Sequence, residues 1–539
     1  MKTKISRLMV IVSSFALLAV AFSAYLFHSK GKREVENYRD LLVANGEKLT
    51  AQELRPRTVP LQENSVAIFR KANGLLNQHQ FFDTNATPTA MRSVKPGKAM
   101  VAWAQPDVRG DKTNTWEEVQ AAAADERELV ELLETIIDRP ALDFNLDYGV
   151  GFTLLLPHLA PLKHFAQRLS STGICDLQRG DAESASVKIR AMLAIAKGME
   201  NERLIISQLV RIAIVNIAVT ATWEFLQSPK VTDEQLAALQ RQWTAAEFLG
   251  GGENALLMQR ALCEAAAARM RQSSEEFRQQ ATMYSRGSSP GPSGWFDQAA
   301  NLAVLKTKES VWRFAWSDPD ELKMLRGQQI ILDAFRLART GQAFQTALRQ
   351  QETGLAALGV RVQSSDPERG FFGIDENVSS MMSQSLVSIG RFPYRIFRIE
   401  AARQIVIGAI ALKRYQLRHG SFPARLSDMV PEFVAAVPDD PMDGKPLRYR
   451  LDSDGTYVLY SVGEDGKDDG GDVSPATPSK TATWLQGRDW VWPLPASDEE
   501  VKMFYEREAA TRAGGRTLAE FEKRYGLNAT NNPSSVTNH

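Results

Sequence analysis

The chain has 539 residues, too many for one ordinary hydrophobic core, so two or more subdomains are expected. Its 64 Lys plus Arg balance 64 Asp plus Glu, which leaves no basic excess of the kind a nucleic-acid partner requires. Two cysteines, Cys175 and Cys263, exclude a disulfide framework or a cysteine metal site. Both lie in helical patterns and are expected as buried free thiols.

Leu8 to Phe27 (LMVIVSSFALLAVAFSAYLF) carries no charge and is about 20 residues long, enough to span a bilayer as a helix. Lys2, Lys4 and Arg7 precede it, and Lys30, Lys32 and Arg33 follow it, so flanking charge hardly sets an orientation. Ala19-Val20-Ala21 is an acceptable signal-cleavage site. The apolar run continues past it to Phe27, which favours an uncleaved anchor over residues 1–34. Either way the bulk of the chain is expected outside the cytoplasmic membrane.

Residues 35–284 read as a helical domain. A short helix from Val35 is broken by Pro56 and Pro60, and Asp83–Thr115 reads as a long loop. In Trp116–Ile137, Leu129, Leu132, Leu133 and Ile136 form a helical stripe. Phe165–Arg179 and Ala182–Met199 meet at Gly180-Asp181 as in one tetratricopeptide-like hairpin, with no regular period after it. Leu204–Leu226 is apolar enough to suggest a second span, but Gln208, Arg211, Asn216 and Glu224 mark it as a core helix, since ionisable groups inside a span are costly. Thr232 and Gln235 form a capping-box signature. Gly250-Gly251-Gly252 reads as a break before a helix over Asn254–Tyr284. Ser285–Gly294 (SRGSSPGPSG) is a linker, and residues 295–395 are a helical continuation. Trp295, Trp312 and Trp316 are spaced as core residues.

The segment Ile396–Asp472 has the strongest internal logic. Ile399, Ala402, Val406 and Ala409 form an apolar stripe, while Arg403, Lys413, Arg414 and Arg418 lie off it and can face solvent. Gly420 suits a left-handed helix cap. Leu447, Tyr449 and Leu451 alternate with Arg448 and Arg450, as on a half-buried strand. Asp452–Gly455 is a hairpin turn, and Tyr457–Val462 is the return strand. TWLQGRDWVW (483–492) is a candidate third strand. The loop Glu464–Asp472 (EDGKDDGGD) packs five acids into nine residues.

The ordered set YQLRHGSFPARLSDMVPE, PDDPMDGKPLRY and YVLYSVGEDGKDDGGD resembles the C-terminal half of a major pseudopilin of type II secretion. The resemblance implies a long helix packed on a small antiparallel sheet, with a loop after the second strand that binds calcium in many members. A pseudopilin carries its helix behind an N-terminal processing site that this sequence lacks, so polymerisation is not implied. Calcium requires six to eight oxygens from carboxylates and carbonyls. Asp465, Asp469 and Asp472 are the best side-chain ligands, and a solvated acidic turn is the alternative. The module is assigned to residues 396–495, with a helical and Asn/Ser-rich tail over 496–539.

No catalytic motif is present. None of the six histidines forms HExxH or an i, i+4 pair, and there is no Gly-x-Ser-x-Gly elbow and no dinucleotide fingerprint. His158 and His164 could meet in space. The fold class expected is mainly α: a membrane-anchored helical body with a small C-terminal α+β pilin-like module. The function expected is a structural or interaction scaffold, secretion-related, with a protein partner. The alternative is an envelope hydrolase with a site assembled from scattered residues. A pocket with convergent carboxylates or histidines would favour the hydrolase, and a broad apolar groove the scaffold.

Overall fold

In the computed structural model, residues 29–76, 81–84, 87–109, 112–285, 305–360, 382–475, 484–514 and 524 are described. The apolar run Leu8–Phe27 expected as an anchor, the expected linker beyond Ser285 and the Asn/Ser-rich stretch from Leu527 lie outside them. The chain is mainly helical, with small sheets. Helix α1 (29–44) is followed by α2 (Val66–Leu76), α3 (Phe81–Thr84) and two short hairpins, β1 (Arg92–Lys95) with β2 (Lys98–Met100) and β3 (Val108–Arg109) with β4 (Thr113–Asn114). The expected stripe of Trp116–Ile137 is split into α4 (Trp116–Asp125), α5 (Arg127–Glu134) and a 3-10 turn that buries Ile136.

The principal core begins with α6 (Leu159–Arg179) and α7 (Ala182–Gly198), the expected hairpin. Gly180 takes a left-handed φ of 78°, and the Asp181 carboxylate accepts the Ser184 N–H at 3.0 Å to cap α7. Helix α6 starts at Leu159 rather than Phe165, because proline at 161 is tolerated in a first turn. Helix α8 (Ile205–Leu226) packs on both. It is long and apolar enough to cross a membrane, yet Gln208, Arg211 and Glu224 are fully buried against protein, as expected of a core helix. Helix α9 (Asp233–Ala245) starts with the expected Thr232–Gln235 capping box.

Helix α10 (Leu249–Gln272) contains the three glycines expected as a break. They lie inside the helix, and two of them sit where other elements approach closely. A Cβ on Gly251 would sit 3.0 Å from Arg211 Nη1 and Gln208 Oε1, and one on Gly252 would sit 3.0 Å from Ile396 and 3.1 Å from Phe335. The expected single helix over 254–284 breaks instead at Ser273, which is extended, before α11 (Ser274–Ser285). Helix α12 (305–311) passes through a wider π-turn, Trp312–Trp316, into α13 (Ser317–Arg339). Helices α14 (Phe344–Ala357) and α15 (Ser385–Ile389) follow.

Helix α16 (Phe392–His419) packs on α8, α9 and α10 and also on the C-terminal sheet. The expected stripe at Ile399, Ala402, Val406 and Ala409 is buried. Arg403, expected toward solvent, is buried as well: it pairs with Glu400 at 3.0 Å and donates to the Trp243 carbonyl at 3.2 Å. This face lies under α9, which a one-helix pattern cannot reveal.

Strands β5 (Asp439–Asp440) and β6 (Lys445–Pro446) form a short ladder. Strands β7 (Arg448–Leu451), β8 (Tyr457–Ser461) and β9 (Trp490–Val491) form an antiparallel sheet in that order. The third strand of TWLQGRDWVW is therefore present, as its last part. Strand β10 (Leu494–Pro495) pairs in parallel with β2, and α17 (Asp498–Ala513) closes the helical elements of the described chain. The segment expected as a loop over Asp83–Thr115 thus contains four short strands. They lack a sequence period because a distant partner, β10, supplies part of their pairing. One hydrophobic core runs from Val66 to Trp492 and includes Leu447, just before β7, and Leu459 and Trp490 of the sheet. The expected boundary between residues 395 and 396 falls inside α16, so the sheet shares its core with the helical body.

A valine at Gly252 should force apart α10, α13 and α16 and lower stability by about 1–3 kcal/mol. A Cβ added at Gly74 in α2 would meet nothing within 4 Å, so Gly74→Ala should add about 0.5–1 kcal/mol. Urea denaturation of both variants checks this, and an unchanged Gly252→Val midpoint would refute the packing argument.

Candidate functional site

The acidic loop is built around a carboxylate outside it. Asp489, fully buried just before β9, accepts the backbone N–H of Gly471 at 2.7 Å, of Asp472 at 3.1 Å and of Asp469 at 3.5 Å. Its own N–H returns to the Asp472 carbonyl at 3.0 Å. Burial raises its pKa, and the three N–H donors oppose that. Two glycines make the close approach possible: Gly463 (φ 67°) lies against the Arg488 carbonyl, where a Cβ would stand at 2.4 Å, and Gly471 (φ 84°) lies against Val458. A second buried carboxylate, Asp440, accepts the Val462 N–H at 2.8 Å, the Ser461 hydroxyl at 2.9 Å and the Met442 N–H at 3.0 Å. It fastens β5 to the end of β8.

The three residues expected as calcium ligands occupy separate positions. Asp465 Oδ1 accepts the Lys467 N–H at 3.0 Å. Asp472 Oδ1 accepts the Ser474 N–H at 2.9 Å, and this bond holds its carboxyl below the usual range. Asp469 is exposed and contributes its backbone N–H to Asp489. Asp468, not among the three, accepts the Tyr460 hydroxyl at 2.9 Å and stands 3.4 Å from Arg448. Burial would raise its pKa, but the Tyr460 hydroxyl, the Gly470 N–H and Arg448 outweigh it. Among the described residues no three His, Cys, Asp or Glu side chains converge as a metal site. The donor chemistry suits calcium, whereas this arrangement aims the oxygens of Asp465 and Asp472 at their own turns.

Beside the loop lies a cleft of about 390 Å³ between the β1–β2 hairpin, α8, α16 and the segment around Trp484–Gly487. Ile212, Val219, Ile399 and Leu485 supply apolar wall, and Lys98, Arg395 and Arg398 supply its charges. Among the described residues no carboxylate and no histidine lines it. The hairpin is held in place by Glu224, fully buried near the end of α8. Its carboxylate accepts the Met91 N–H at 2.7 Å and the Ala102 N–H at 3.0 Å, while its backbone carbonyl accepts Trp103 Nε1 at 3.1 Å. Burial pushes the Glu224 carboxyl up to about 8 against these donors. Trp223 Nε1 donates to the Pro493 carbonyl at 2.8 Å, which ties α8 to the segment leading into β10.

Other groups singled out by sequence are not brought together. His158 is buried, 2.8 Å from Glu202 and stacked on Phe144, whereas His164 is exposed. Cys175 and Cys263 are free and buried, and burial raises both thiols, to about 12 and about 11. Trp312 is fully buried and donates to Asp320 at 3.0 Å, but Trp316, expected in the core, is exposed. Asp489, Asp440 and Glu224 carry the local architecture; the two aspartates were not singled out by sequence, and Glu224 was read only as a polar mark of a core helix. The available signal was an acid entering an apolar run: Asp489 before WVW and Glu224 inside TATWEFL.

No family model matches the chain, and no curated protein and no solved structure matches it.

The Glu224 carboxyl binds its proton more tightly in the folded state than at its ordinary value of 4.5. The stability linked to that proton is therefore full below about 4.5 and is lost as pH rises toward about 8. Wild type should lose roughly a few kcal/mol across this window relative to Glu224→Gln, whose amide stays neutral. Denaturant midpoints of the two proteins measured from pH 4 to pH 9 give the test, and parallel curves would count against a protonated buried Glu224.

Proposed function

We propose that this chain is a single-pass, membrane-anchored envelope protein with a C-terminal pilin-like α+β module, acting as an interaction scaffold at the membrane surface. The observation that carries the binding reading is the chemistry of the cleft. Its lining joins apolar wall to uncharged polar groups such as Asn216 and Gln486 and to three cations, Lys98, Arg395 and Arg398. General acid–base hydrolysis draws on carboxylates or imidazoles at the reacting bond, and the described lining offers none. Apolar wall with a few placed cations suits a partner segment that presents hydrophobic side chains and a carboxylate. The anchor reading rests on the apolar, uncharged Leu8–Phe27 and on the tight attachment of the helix after it. Arg39 of α1 lies 2.9 Å from Glu264, and Glu47, just past α1, lies 2.7 Å from the fully buried Arg260. The pilin-like reading rests on the long α16 packed against an antiparallel sheet, with the acidic loop after β8.

The full chain should stay in the membrane pellet after an alkaline wash. A photo-crosslinking residue at Ser93 or Thr220, both in the cleft, should then join the chain to one partner that the same residue at Ser453 does not capture. Matching crosslink patterns at all three positions would sink the scaffold reading.

The calcium reading of Asp465, Asp469 and Asp472 belongs to the same proposal. Its support is charge density: five acids beside a single lysine, Lys467, with Asp465 and Asp469 exposed. Envelope calcium modules bind at about 10⁻⁴–10⁻³ M, so about 1 mM calcium should add about 0.4–1.4 kcal/mol. The full chain should melt higher with calcium than with chelator, and the difference should vanish in the triple variant Asp465→Ala, Asp469→Ala, Asp472→Ala. Identical wild-type curves at several millimolar calcium leave the loop as a solvated turn.

A further inference from the structure

The strongest unexplained surface lies where the described chain begins. Helix α1 is described from residue 29, two residues after the apolar run ends at Phe27. Gly31 abuts the first turn of α13: a Cβ there would stand 3.2 Å from Asp318 Cβ and 3.6 Å from Pro319 Cδ. The π-turn Trp312–Trp316 immediately precedes that turn. Its i→i+5 winding, with the Ser317 N–H on the Trp312 carbonyl, breaks the rule that residues four apart share a helix face. Trp312 therefore points inward while Trp316 points out. Three large apolar side chains stand in solvent here: Phe314 (68% exposed), Val311 (44%) and Trp316 (38%).

Basic side chains flank the patch. Lys30, Lys32, Arg33 and Lys306 are exposed. Glu34 and Glu36 offset part of that charge through i, i+4 pairs with Lys30 and Lys32. An aromatic and aliphatic cluster rimmed by cations is the composition of a surface that sits at the boundary of headgroups and acyl chains. The attachment of α1 to the body is rigid: Val35 packs in a core with Trp312 and Leu325, and Arg39 is paired to Glu264 and to the fully buried Glu321. On the anchor reading, one residue of sequence, His28, separates the apolar run from α1, so this end of the body stays near the bilayer.

The geometry points to a second membrane contact: the face formed by Val311, Phe314 and Trp316 inserts into the interfacial layer of the same bilayer that holds Leu8–Phe27. This inference rests on the anchor reading and adds that the body lies against the lipid in a fixed orientation. A phospholipid surface with an anionic component is the occupant, because the covering chemistry must be apolar at the centre and negative at the rim.

The test uses the full chain in vesicles of zwitterionic phospholipid with an anionic fraction. Native Cys175 and Cys263 are buried, so a nitroxide attaches selectively to Phe314→Cys or, as a control, to Ser453→Cys in the exposed β7–β8 turn. Dissolved oxygen, which concentrates in lipid, should relax the label at 314 several-fold more than an aqueous nickel chelate does, with the order reversed at 453. A label at 314 as open to nickel as the one at 453, in vesicles that retain the protein through alkaline wash, overturns the docking and leaves the anchor intact. Release of the protein by that wash overturns the anchor and the docking together. A label at 314 shielded from both reagents overturns the lipid contact and assigns the patch to a protein partner.

Discussion

Buried charge is the constraint on which the rest of this structure depends. Arg211, Arg260, Glu321, Asp440 and Asp489 are all fully buried, and an ionised group in a protein interior is tolerated only when it is paired or hydrogen-bonded. Each therefore dictates what must lie beside it. Arg211 donates to the Ala196 carbonyl at 2.8 Å and the Glu247 carbonyl at 2.7 Å and stacks over Phe248 at 4.4 Å, which joins α7, α8 and the start of α10. Glu321 is shared by Arg39 and Arg271, which joins α1, α10 and α13. Removing one partner of such a group leaves the other uncompensated, a loss of about 3–5 kcal/mol, so these contacts fix geometry even where their net contribution is small.

The same constraint explains why the C-terminal sheet is not a tethered appendage. α16 is buried on several faces along most of its length, one toward α8 and α9 and another toward β8. Gly408 marks a tight point, where a Cβ would meet Leu459 Cδ2 at 3.3 Å. Glu224 and Trp223 on α8 then reach the β1–β2 hairpin and the segment before β10. A displacement of the sheet would have to break these buried hydrogen bonds together, so the cleft beside it has walls that move as a unit.

That rigidity bears on the proposed scaffold role. A preformed cleft loses little conformational entropy when a partner enters it, and a body clamped to α1 transmits its orientation to whatever it holds. On that proposal two separate features belong to one arrangement: the exposed apolar patch of Val311, Phe314 and Trp316 beside α1, and the cation-bearing cleft between α8, α16 and the β1–β2 hairpin.

The sequence by itself determined the elements with a local cause. The Gly180-Asp181 turn, the Thr232–Gln235 cap, the apolar stripe of α16, the β7–β8 hairpin and the burial of both cysteines follow from periodicity, capping chemistry and residue type over a few neighbours. The core assignment of Ile205–Leu226 was legible too, because Arg211 and Glu224 are too polar for lipid. Contacts between distant segments were decided only by the tertiary structure. Gly250–Gly252 read as a break, because a sequence does not show that Ile396, Phe335 and Arg211 crowd that face of α10. Arg403 read as solvent-facing, because the carbonyls that receive it belong to α9. The acidic loop showed five carboxylates, but not that its backbone N–H groups converge on Asp489, a residue beyond the loop's end. In each case the deciding force is short-ranged in space and long-ranged in sequence, so no local pattern carries it.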